Sequence, residues 1–419
     1  MINSEGKVMN SEGEVTKIFI TPIGDPKGYR EVEYIWESDN SKKYKGKTSI
    51  PLFIEQIEPD KTIIITPDTI DIEIVNNEIV NNIENTNIIT VPLKGSFKIR
   101  NDNRSFSFER KATDLSREIL FSILNHIEIE NFGKEIQFHF DSSLGLNFLV
   151  IAIYENLRYL MEALAFFYDV SISVYNTDPY KPGIEKLHVN KMSFSQIVPK
   201  VPKWWVTELK LIDSSGGENE SSSPNLTEEE KDCINGIIGG FYYQLPLVIA
   251  HFASKLNIDE VERKLEECKS IKRENIKRIE NGNQTIIKDK FFYTSAFLTT
   301  SLALLLAEIV KRKIPDGENY RTGFRKKTLK EIVKSNIFLF SENELDKLSR
   351  QGVPSRRNRK FKKRNFLRNF LAHGGFEYNI IDTDLIRRSK KYKYKSSIED
   401  ENSEDIILNT INLCRKDRK

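Results

Sequence analysis

The chain has 419 residues, of which 39% are hydrophobic and 30% charged, and its formal net charge is only +3. This length exceeds what one ordinary core fills, so we expect a globular protein of two or three domains. The small net charge argues against a chain-wide attraction for nucleic acid, so any such surface must be local. Three widely spaced cysteines favour a reduced, cytoplasmic setting over a disulfide framework or a metal site.

No segment resembles a targeting or membrane-spanning sequence. Residues 1–14 have no apolar core, so we expect a flexible amino terminus and not a signal peptide. The most apolar run, 295–310, is shorter than a membrane span and contains Glu308. We therefore predict a buried helix there and no association with a membrane.

In the first half of the chain, apolar strands alternate with helices. The patterns predict strands at 17–24, 30–36, 61–68, 87–91, 135–141 and 170–178, and helices at 50–57, 114–126 and 146–167. Such alternation predicts a mainly parallel, three-layer α/β fold for residues 15–212.

The second half is predicted to be helical. The Ser-, Gly- and Asn-rich stretch 213–225 has no periodicity, and we take 213–226 as a linker. Helical spacing then covers 227–256, 258–281, 286–313, 327–337, 341–350 and 355–373. This predicts an all-α domain over 227–419 that ends in a polar tail.

Small and polar residues follow three of the predicted strands. They are Gly24, Asp25 and Pro26 after the first, Thr66 and Asp68 at the end of the third, and Asp141, Ser142, Ser143, Gly145 and Asn147 after the fifth. In an open parallel sheet, ligands bind beyond these carboxyl ends, and a helix start can hold a phosphate. An ordinary strand–helix turn would also use these residue types. The glycine patterns of dinucleotide and Walker-type sites are missing from the sequence, which disfavours those ligands.

The sequence RNFLAHGG, 368–375, combines three groups suited to RNA cleavage. Arg368 can hold a phosphate, His373 can transfer a proton near pH 7, and Asn369 lies one helical turn before the histidine. The two following glycines are typical of a helix C-cap. A histidine that only helps to cap a helix is the alternative interpretation.

A basic run precedes this motif. We predict that it contacts the RNA backbone through Arg356, Arg357, Arg359, Lys363 and Arg364, although most charge runs are simply solvated. RNFL occurs at both 364–367 and 368–371, so Arg364 could share or take over the phosphate contact of Arg368. His139 and Asp141 face the same way on one strand, but we find no third ligand and predict no metal site.

At these residues the chain resembles a known family. RNFLAHGG resembles the signature of HEPN ribonucleases, an Arg, a polar residue and a later His. ITPIGDPKGYREVEY (20–34) and DSSLGLNF (141–148) resemble the first strand-loop and a late strand-loop-helix of CARF sensors, with Leu144 where those sensors often have a histidine. The chain is thereby identified as similar to the CARF–HEPN accessory ribonucleases of type III CRISPR systems.

This resemblance implies a Rossmann-like sensor followed by an all-α HEPN domain, in a cytoplasmic homodimer or higher homo-oligomer. It implies an allosteric activator, cyclic oligoadenylate (we favour tetra-adenylate over hexa-adenylate), and no other cofactor. Single-stranded RNA would be cleaved without metal, leaving a 2′,3′-cyclic phosphate and a 5′-hydroxyl. Arg368 would stabilise the phosphorane, Asn369 would orient His373 or the phosphate, and His373 would act in proton transfer or in stabilising the transition state. Two alternatives remain: a CARF-type regulator that binds nucleic acid without cutting it, and a catalytically inactive HEPN-like interaction module.

Overall fold

The computed structural model describes residues 15–80, 83–98, 105–127, 130, 132–214, 224–332, 370–371, 375–376, 380–389, 391–398 and 401–416. The chain forms two compact units, the first from 1–199 with 275–292 and the second from 200–274 with 293–419. This division differs from the predicted boundaries 15–212, 213–226 and 227–419, because a later segment returns to the first unit. The functional assignment of the domains remains a prediction.

The first unit is built on an eight-stranded sheet. In chain order its strands are β1 (Val15–Pro22), β2 (Val32–Trp36), β3 (Lys43–Gly46), β4 (Lys61–Pro67), β5 (Thr86–Val91), β8 (Glu135–Asp141), β9 (Asp169–Thr177) and β10 (Lys186–Gln196). Strands β6 (Gly95–Lys98) and β7 (Ser105–Glu109) belong to a second sheet. The helices are α1 (Ile50–Ile57), α2 (Ile72–Val75), α3 (Ala112–Leu124) and α4 (Asn147–Leu164).

The large sheet has the order β3-β2-β10-β9-β8-β1-β4-β5. Strands β5, β4, β1, β8 and β9 pair in parallel, whereas β10 runs antiparallel to β9 and β3 antiparallel to β2. The predicted α/β fold with a mainly parallel core is thus confirmed, within a mixed sheet. The extra strands β3 and β10 were not predicted, and most residues of β10 are solvent-exposed.

Helices cover both faces of this sheet. Phe53 of α1 stacks on Phe19 of β1 with 4.9 Å between ring centroids. On the opposite face, Tyr154 of α4 lies 6.0 Å from Phe140 of β8. Consecutive strand residues point to opposite faces, so β1 supplies apolar side chains to both layers, whereas β8 supplies Ile136, Phe138 and Phe140 to the α4 layer alone. This is the predicted three-layer arrangement.

Residues 276–289 form a hairpin where the sequence predicted helix. Strands β12 (Ile276–Asn281) and β13 (Gln284–Asp289) pair antiparallel, and β13 pairs in parallel with β7. The helical predictions 258–281 and 286–313 were therefore wrong over this segment. Asn281-Gly282 is a strong hairpin turn signal, and Gly282 has φ +59°. Strand β14 (Phe291–Tyr293) follows.

The described part of the second unit is mainly helical. It contains α5 (Glu228–Tyr243), α6 (Pro246–Lys255), α7 (Ile258–Glu274), α8 (Ser295–Lys313), α9 (Lys326–Ile332), α10 (Thr383–Ser389) and α11 (Ser403–Lys416). Short strands occur at β11 (Ile212–Ser214), β15 (Phe324–Arg325), β16 (Lys391–Tyr392), β17 (Ser397–Ile398) and β18 (Glu401–Asn402).

The predicted helix 227–256 is two helices. A capping box starts α5, in which the Thr227 N–H donates to Glu230 at 2.7 Å and the Glu230 N–H to Thr227 at 3.1 Å. The chain then leaves the helix at Gln244, which has φ +59°, and restarts with Pro246. Proline has no N–H to donate and fits a first helical turn, which explains the break. Among the described residues, no helix combines the length and apolarity of a membrane span.

Candidate functional site

Three strand ends lie side by side at the carboxyl edge of the parallel sheet. Strand β1 lies between β8 and β4, and the three end at Pro22, Asp141 and Pro67. Beyond β1, the N–H of Ile23 still donates to the carbonyl of Ile65 at 2.8 Å. The predicted loops after these strands therefore start from one edge, where a ligand could contact all of them.

The loops after β1 and β8 meet at the hydroxyl of Tyr29. The Gly24 N–H donates to this oxygen at 2.8 Å, and the backbone of Gly145 also hydrogen bonds it. Burial raises the pKa of Tyr29 most, the two backbone hydrogen bonds oppose the rise, and the charge of Asp141 adds to it. The phenol therefore stays protonated near neutral pH, and two backbone groups converge on one oxygen position.

Gly145 occupies a position that only glycine fits well. Its φ is +88°, and an added Cβ would lie 3.0 Å from the Cβ of Pro22. At Gly24 an added Cβ would lie 3.1 Å from the Tyr29 hydroxyl and 3.8 Å from the Cα of Gly145. The two loop backbones can approach closely because both residues lack a side chain.

Asp141 is fully buried at the end of β8. Its carboxylate accepts from the Ser143 N–H at 2.9 Å, from the Ser143 hydroxyl, and from the Ser49 hydroxyl at 3.3 Å. Burial raises its pKa to about 6, although these hydrogen bonds and one from Thr21 act in the opposite direction. Asp141 thus orders the loop from inside the protein.

The two predicted serines fix the same loop to the end of β9. The Ser142 hydroxyl donates to the Tyr175 carbonyl at 2.8 Å and accepts from the Asn176 amide at 3.1 Å. The Ser143 hydroxyl accepts from the Thr177 N–H at 2.6 Å. Both hydroxyls are therefore engaged within the protein.

The predicted residues Thr66 and Asp68 are placed differently. Thr66 is fully buried in β4, and within the described ranges its hydroxyl has no hydrogen-bond partner. Asp68 accepts from the Leu93 N–H at 3.1 Å and from Arg110 Nη1 at 2.8 Å. Asp68 is thus held by a buried guanidinium.

Asn147 and Asp25 are two predicted residues that are exposed to solvent. Asn147 is exposed at the first residue of α4, where Leu146 gives no side-chain cap to the helix N–H groups. Asp25 is exposed and accepts from the Lys27 N–H at 3.0 Å, which caps the short turn Pro26–Gly28. Free N–H groups at a helix start favour an anionic oxygen.

Sequence analysis missed Tyr29 and Arg110. Tyr29 occurs within the quoted stretch ITPIGDPKGYREVEY, but nothing in that pattern indicates that its hydroxyl reaches Gly145, more than a hundred residues later. Arg110 occurs just after β7, and only the fold brings it to Asp68. Contacts this distant in sequence leave no local signal.

His139 lies on β8 beside Tyr175. Its Nδ1 lies 3.2 Å from the Tyr175 hydroxyl, and burial lowers its pKa to about 4, with Lys191 and Lys17 adding to the shift. In the portion of the chain that the structure covers, no three His, Cys, Asp or Glu side chains are grouped to hold a metal.

The predicted catalytic and RNA-binding residues lie outside the described residues. These are Arg368, Asn369 and His373, with Arg356, Arg357, Arg359, Lys363 and Arg364. Beside them, residues 370–371 are helical. Gly375 has φ +82°, and its N–H donates to the Phe370 carbonyl at 2.9 Å, as in a glycine-terminated helix. The Gly375 carbonyl accepts from the buried Tyr394 hydroxyl at 3.2 Å.

Two further polar features occur in the helical unit. Glu404 accepts from Lys255 at 2.6 Å and lies 2.8 Å from His251 Nε2, and the hydrogen bond with His251 contributes most to lowering the Glu404 pKa to about 2. Separately, a cavity of about 540 Å³ is lined by Lys313, Lys326, Lys327, Lys330 and Glu331. Within this lining, Lys327 pairs with Glu331 at 3.7 Å.

Comparisons with known proteins find similarity to CRISPR-associated proteins. A family model described as CRISPR system endoribonuclease Csx1, CARF domain, matches residues 18–179. The CRISPR system endoribonuclease Csx1 of Methanocaldococcus jannaschii is 25% identical over 429 residues, covering 91% of this chain and 89% of that protein. The structure of Enterococcus italicus Csm6 bound to cyclic hexa-2′-fluoro-hexa-dAMP covers 95% of this chain and 93% of that chain at 10% identity, with a TM-score of 0.24, too low to carry an argument.

The match over residues 18–179 spans β1 to β9 and so includes all three strand-end loops. The similarity to Csx1 extends over nearly the whole chain, beyond the part covered by the family model. Residues 18–179 are thus similar to the CARF domain of Csx1, and nearly the whole chain is similar to a CRISPR system endoribonuclease.

Proposed function

We propose that this protein is an endoribonuclease of type III CRISPR antiviral defence, activated by cyclic oligoadenylate. It cleaves single-stranded RNA without a metal, as a cytoplasmic homodimer or higher homo-oligomer. Cyclic tetra-adenylate is the proposed activator in preference to the hexa-adenylate.

The convergence of two loop backbones on one oxygen is the observation that carries the ligand assignment. The backbones of Gly24 and Gly145 both hydrogen bond the Tyr29 hydroxyl at the carboxyl edge of the CARF sheet. A phosphate oxygen is recognised by the same kind of backbone group. Asn147, exposed at the start of α4, adds an accessible amide near this edge. In a two-fold dimer the edge would occur twice, which suits a cyclic and symmetric ligand.

The ribonuclease assignment rests on the motif R-N-x-x-x-H in a chain similar to a CRISPR system endoribonuclease. In the proposed reaction the RNA 2′-oxygen attacks the adjacent phosphorus in line, and the bond to the 5′-oxygen breaks. The 2′-hydroxyl loses its proton, the leaving 5′-oxygen gains one, and the products are a 2′,3′-cyclic phosphate and a 5′-hydroxyl. Arg368 stabilises the charge on the phosphorane, and Asn369 orients His373 or the phosphate. His373 acts in proton transfer or in stabilising the transition state.

RNA contact is proposed for the basic run, at Arg356, Arg357, Arg359, Lys363 and Arg364. Phosphate contacts of this kind would make RNA affinity fall with increasing salt.

The test is cleavage of end-labelled single-stranded RNA in EDTA, with and without cyclic tetra-adenylate or hexa-adenylate. We expect cleavage only with ligand, most strongly with the tetra-adenylate, and products ending in a 2′,3′-cyclic phosphate. His373→Ala should reduce the rate about 10²–10⁴-fold. RNA that is retained by the protein but never cut would instead favour the regulator that binds nucleic acid.

A control substitution at a second histidine distinguishes a catalytic role of His373 from a general effect of losing a histidine. His188 is half-exposed and pairs with Asp178 at 3.2 Å in the sensor unit. His188→Ala should cleave at the parent rate, and His373→Ala should bind cyclic tetra-adenylate as the parent does. A His373→Ala protein that still cuts at the parent rate would remove the catalytic assignment.

A further inference from the structure

One buried arginine joins two acidic residues from distant parts of the first unit. The side chain of Arg110 is only 4% exposed. Its Nη1 lies 2.8 Å from Asp68 Oδ2, and its Nε lies 3.0 Å from Asp289 Oδ1. The guanidinium is planar and presents its donors in fixed directions. Its position therefore depends on both carboxylates at once.

The first carboxylate belongs to the candidate ligand edge. Asp68 follows β4, and its other oxygen accepts from the Leu93 N–H at 3.1 Å. The side chain of Asp68 is 33% exposed, whereas that of Asp289 is 7% exposed. Asp68 is thus the accessible end of a bridge whose other end is buried.

The second carboxylate belongs to the hairpin that returns from the helical half of the sequence. Asp289 is the last residue of β13. The hairpin belongs to the first compact unit, whereas the preceding helix α7 and the following helix α8 belong to the second. The covalent chain therefore enters and leaves the helical unit directly beside this ion pair.

We propose that the Asp68–Arg110–Asp289 bridge transmits ligand occupancy from the sheet edge to the hairpin, with Arg110 as the positioning residue. This rests on the proposed function, since it describes how that activation is regulated. Phosphates of an anionic ligand at the edge repel Asp68 and attract the guanidinium, and these forces are strong where water is excluded. A shift of Arg110 then changes its second bond, to Asp289, and so the position of the hairpin. Coupling of this kind requires only that the ligand favours one arrangement over another.

Two conservative variants test the bridge, because each removes one negative charge and keeps a side chain of the same size. Asp68→Asn and Asp289→Asn each keep an oxygen that can accept from Arg110 while removing the charge. We expect each to lower the fold-activation of RNA cleavage by saturating cyclic tetra-adenylate at least about fivefold, within the usual range of allosteric coupling. Because both act through one guanidinium, the double variant should lose little more than the single variants. Because coupling is reciprocal, the ligand Kd of Asp289→Asn should change by no more than the factor of coupling that the variant removes.

A neighbouring ion pair provides the control. Lys288 of the same strand pairs with Glu109 of β7 at 2.5 Å, and both side chains are well exposed. Glu109→Gln removes a charge from the same strand pair but does not involve Arg110, so its fold-activation should equal the parent's. The proposal is overturned if Asp289→Asn has the fold-activation of the parent. It is also overturned if Glu109→Gln lowers the fold-activation as much as Asp289→Asn does. A parent protein that shows no ligand response at all would instead overturn the proposed function, and this proposal with it.

Discussion

The hydroxyl of Tyr29 accepts a hydrogen bond from the Gly24 N–H at 2.8 Å, and the Gly145 backbone hydrogen bonds the same oxygen. Gly24 follows β1, and Gly145 follows β8, the neighbouring strand. Both loops lie beyond the last paired residues of their strands, so strand pairing does not hold them together. The Tyr29 hydroxyl does so by hydrogen bonding to both backbones. This oxygen therefore connects the two loops at the candidate ligand edge, in addition to the hydrogen bonds that Ser142 and Ser143 make to β9.

Tyr29→Phe should loosen both loops. The substitution removes the acceptor and leaves two partly buried N–H groups without it, which should lower the free energy of unfolding by about 1 kcal/mol or more. Urea unfolding would measure this, and calorimetry should find weaker binding of cyclic tetra-adenylate. Tyr34→Phe is the control, because its hydroxyl donates to a single carbonyl, that of Lys47, at 3.2 Å. Equal losses of ligand affinity in both variants would contradict the role of Tyr29.

Gly145→Ala should cost more stability than the same change at Gly183. Both glycines have nearly the same φ, +88° and +90°, so the backbone strain of a side chain is shared, about 1–2 kcal/mol. A Cβ at 183 meets nothing within 4 Å, whereas at 145 it lies 3.0 Å from the Cβ of Pro22. The difference between the two variants in urea unfolding therefore measures the contact between loop and strand. Of the two variants, only Gly145→Ala should also weaken ligand binding. If both variants bind the ligand with the same affinity, the 141–147 loop is not part of the ligand site.

The duplicated RNFL motif predicts different roles for its two arginines. Arg368→Ala should reduce single-turnover cleavage about 10²–10³-fold, as expected when a group that stabilises the transition state is lost. Arg364→Ala should instead weaken RNA binding and make the dependence of log K on log salt shallower by about one. The opposite ranking in single-turnover cleavage would mean that Arg364 is the catalytic arginine.

The sequence predicted those elements whose signal is local. Strand β8 and helix α1 have the predicted bounds, 135–141 and 50–57, because alternating or helically spaced apolar residues coincide with clear turn signals. The hairpin β12–β13 was missed because its isoleucines fit a helical spacing as well, and the Asn281-Gly282 turn was overlooked. It pairs with β7, more than 150 residues earlier, and such a partner leaves no mark on the local pattern.

Contacts between residues distant in sequence also limited the prediction of the candidate site. The strand-end loops could be predicted, since the carboxyl ends of parallel strands share one edge. The contacts of individual side chains could not: Asp68 stays a predicted ligand residue, and its contact with Arg110 had no signal in the sequence. Asp141 was predicted in the same way and is fully buried among hydroxyl donors. Whether an acidic residue faces solvent or a buried partner depends on packing between segments far apart in the chain.

Glu404→Gln should destabilise the helical unit in a pH-dependent way. The hydrogen bond with His251, then Lys255, lowers the Glu404 pKa from 4.5 to about 2. The stabilisation that ionised Glu404 contributes to the folded protein is therefore present above pH 4.5 and is lost as the pH falls towards 2. Urea unfolding at pH 7 should show a loss of roughly 1–3 kcal/mol, and the difference from the parent should shrink by pH 3. Glu308→Gln, which removes an exposed pair with Arg312, should cost much less at both pH values.

Asp141 gives the opposite pH dependence in the first unit. Its pKa is raised from 3.8 to about 6 by burial, so the folded protein binds this proton more tightly than the unfolded chain does. The contribution to stability is fully present below pH 3.8 and is lost as the pH rises through about 6, an effect of roughly 3 kcal/mol. Asp141→Asn cannot ionise, and its amide oxygen can still accept from the Ser143 N–H. Its free energy of unfolding should therefore fall less than that of the parent between pH 4 and pH 7.

Asp178 supplies the matched control for this measurement. Its pKa is lowered, first by the hydrogen bond from the His188 N–H, so its stabilising effect is lost as the pH falls and not as it rises. Asp178→Asn should leave the decline between pH 4 and pH 7 as steep as in the parent. If Asp141→Asn declines equally steeply, another group is responsible, and Asp141 is then ionised in the folded protein across this range. In that case the buried carboxylate would carry a full negative charge beneath the ligand edge, and Asp141→Asn should strengthen the binding of anionic cyclic tetra-adenylate at pH 5.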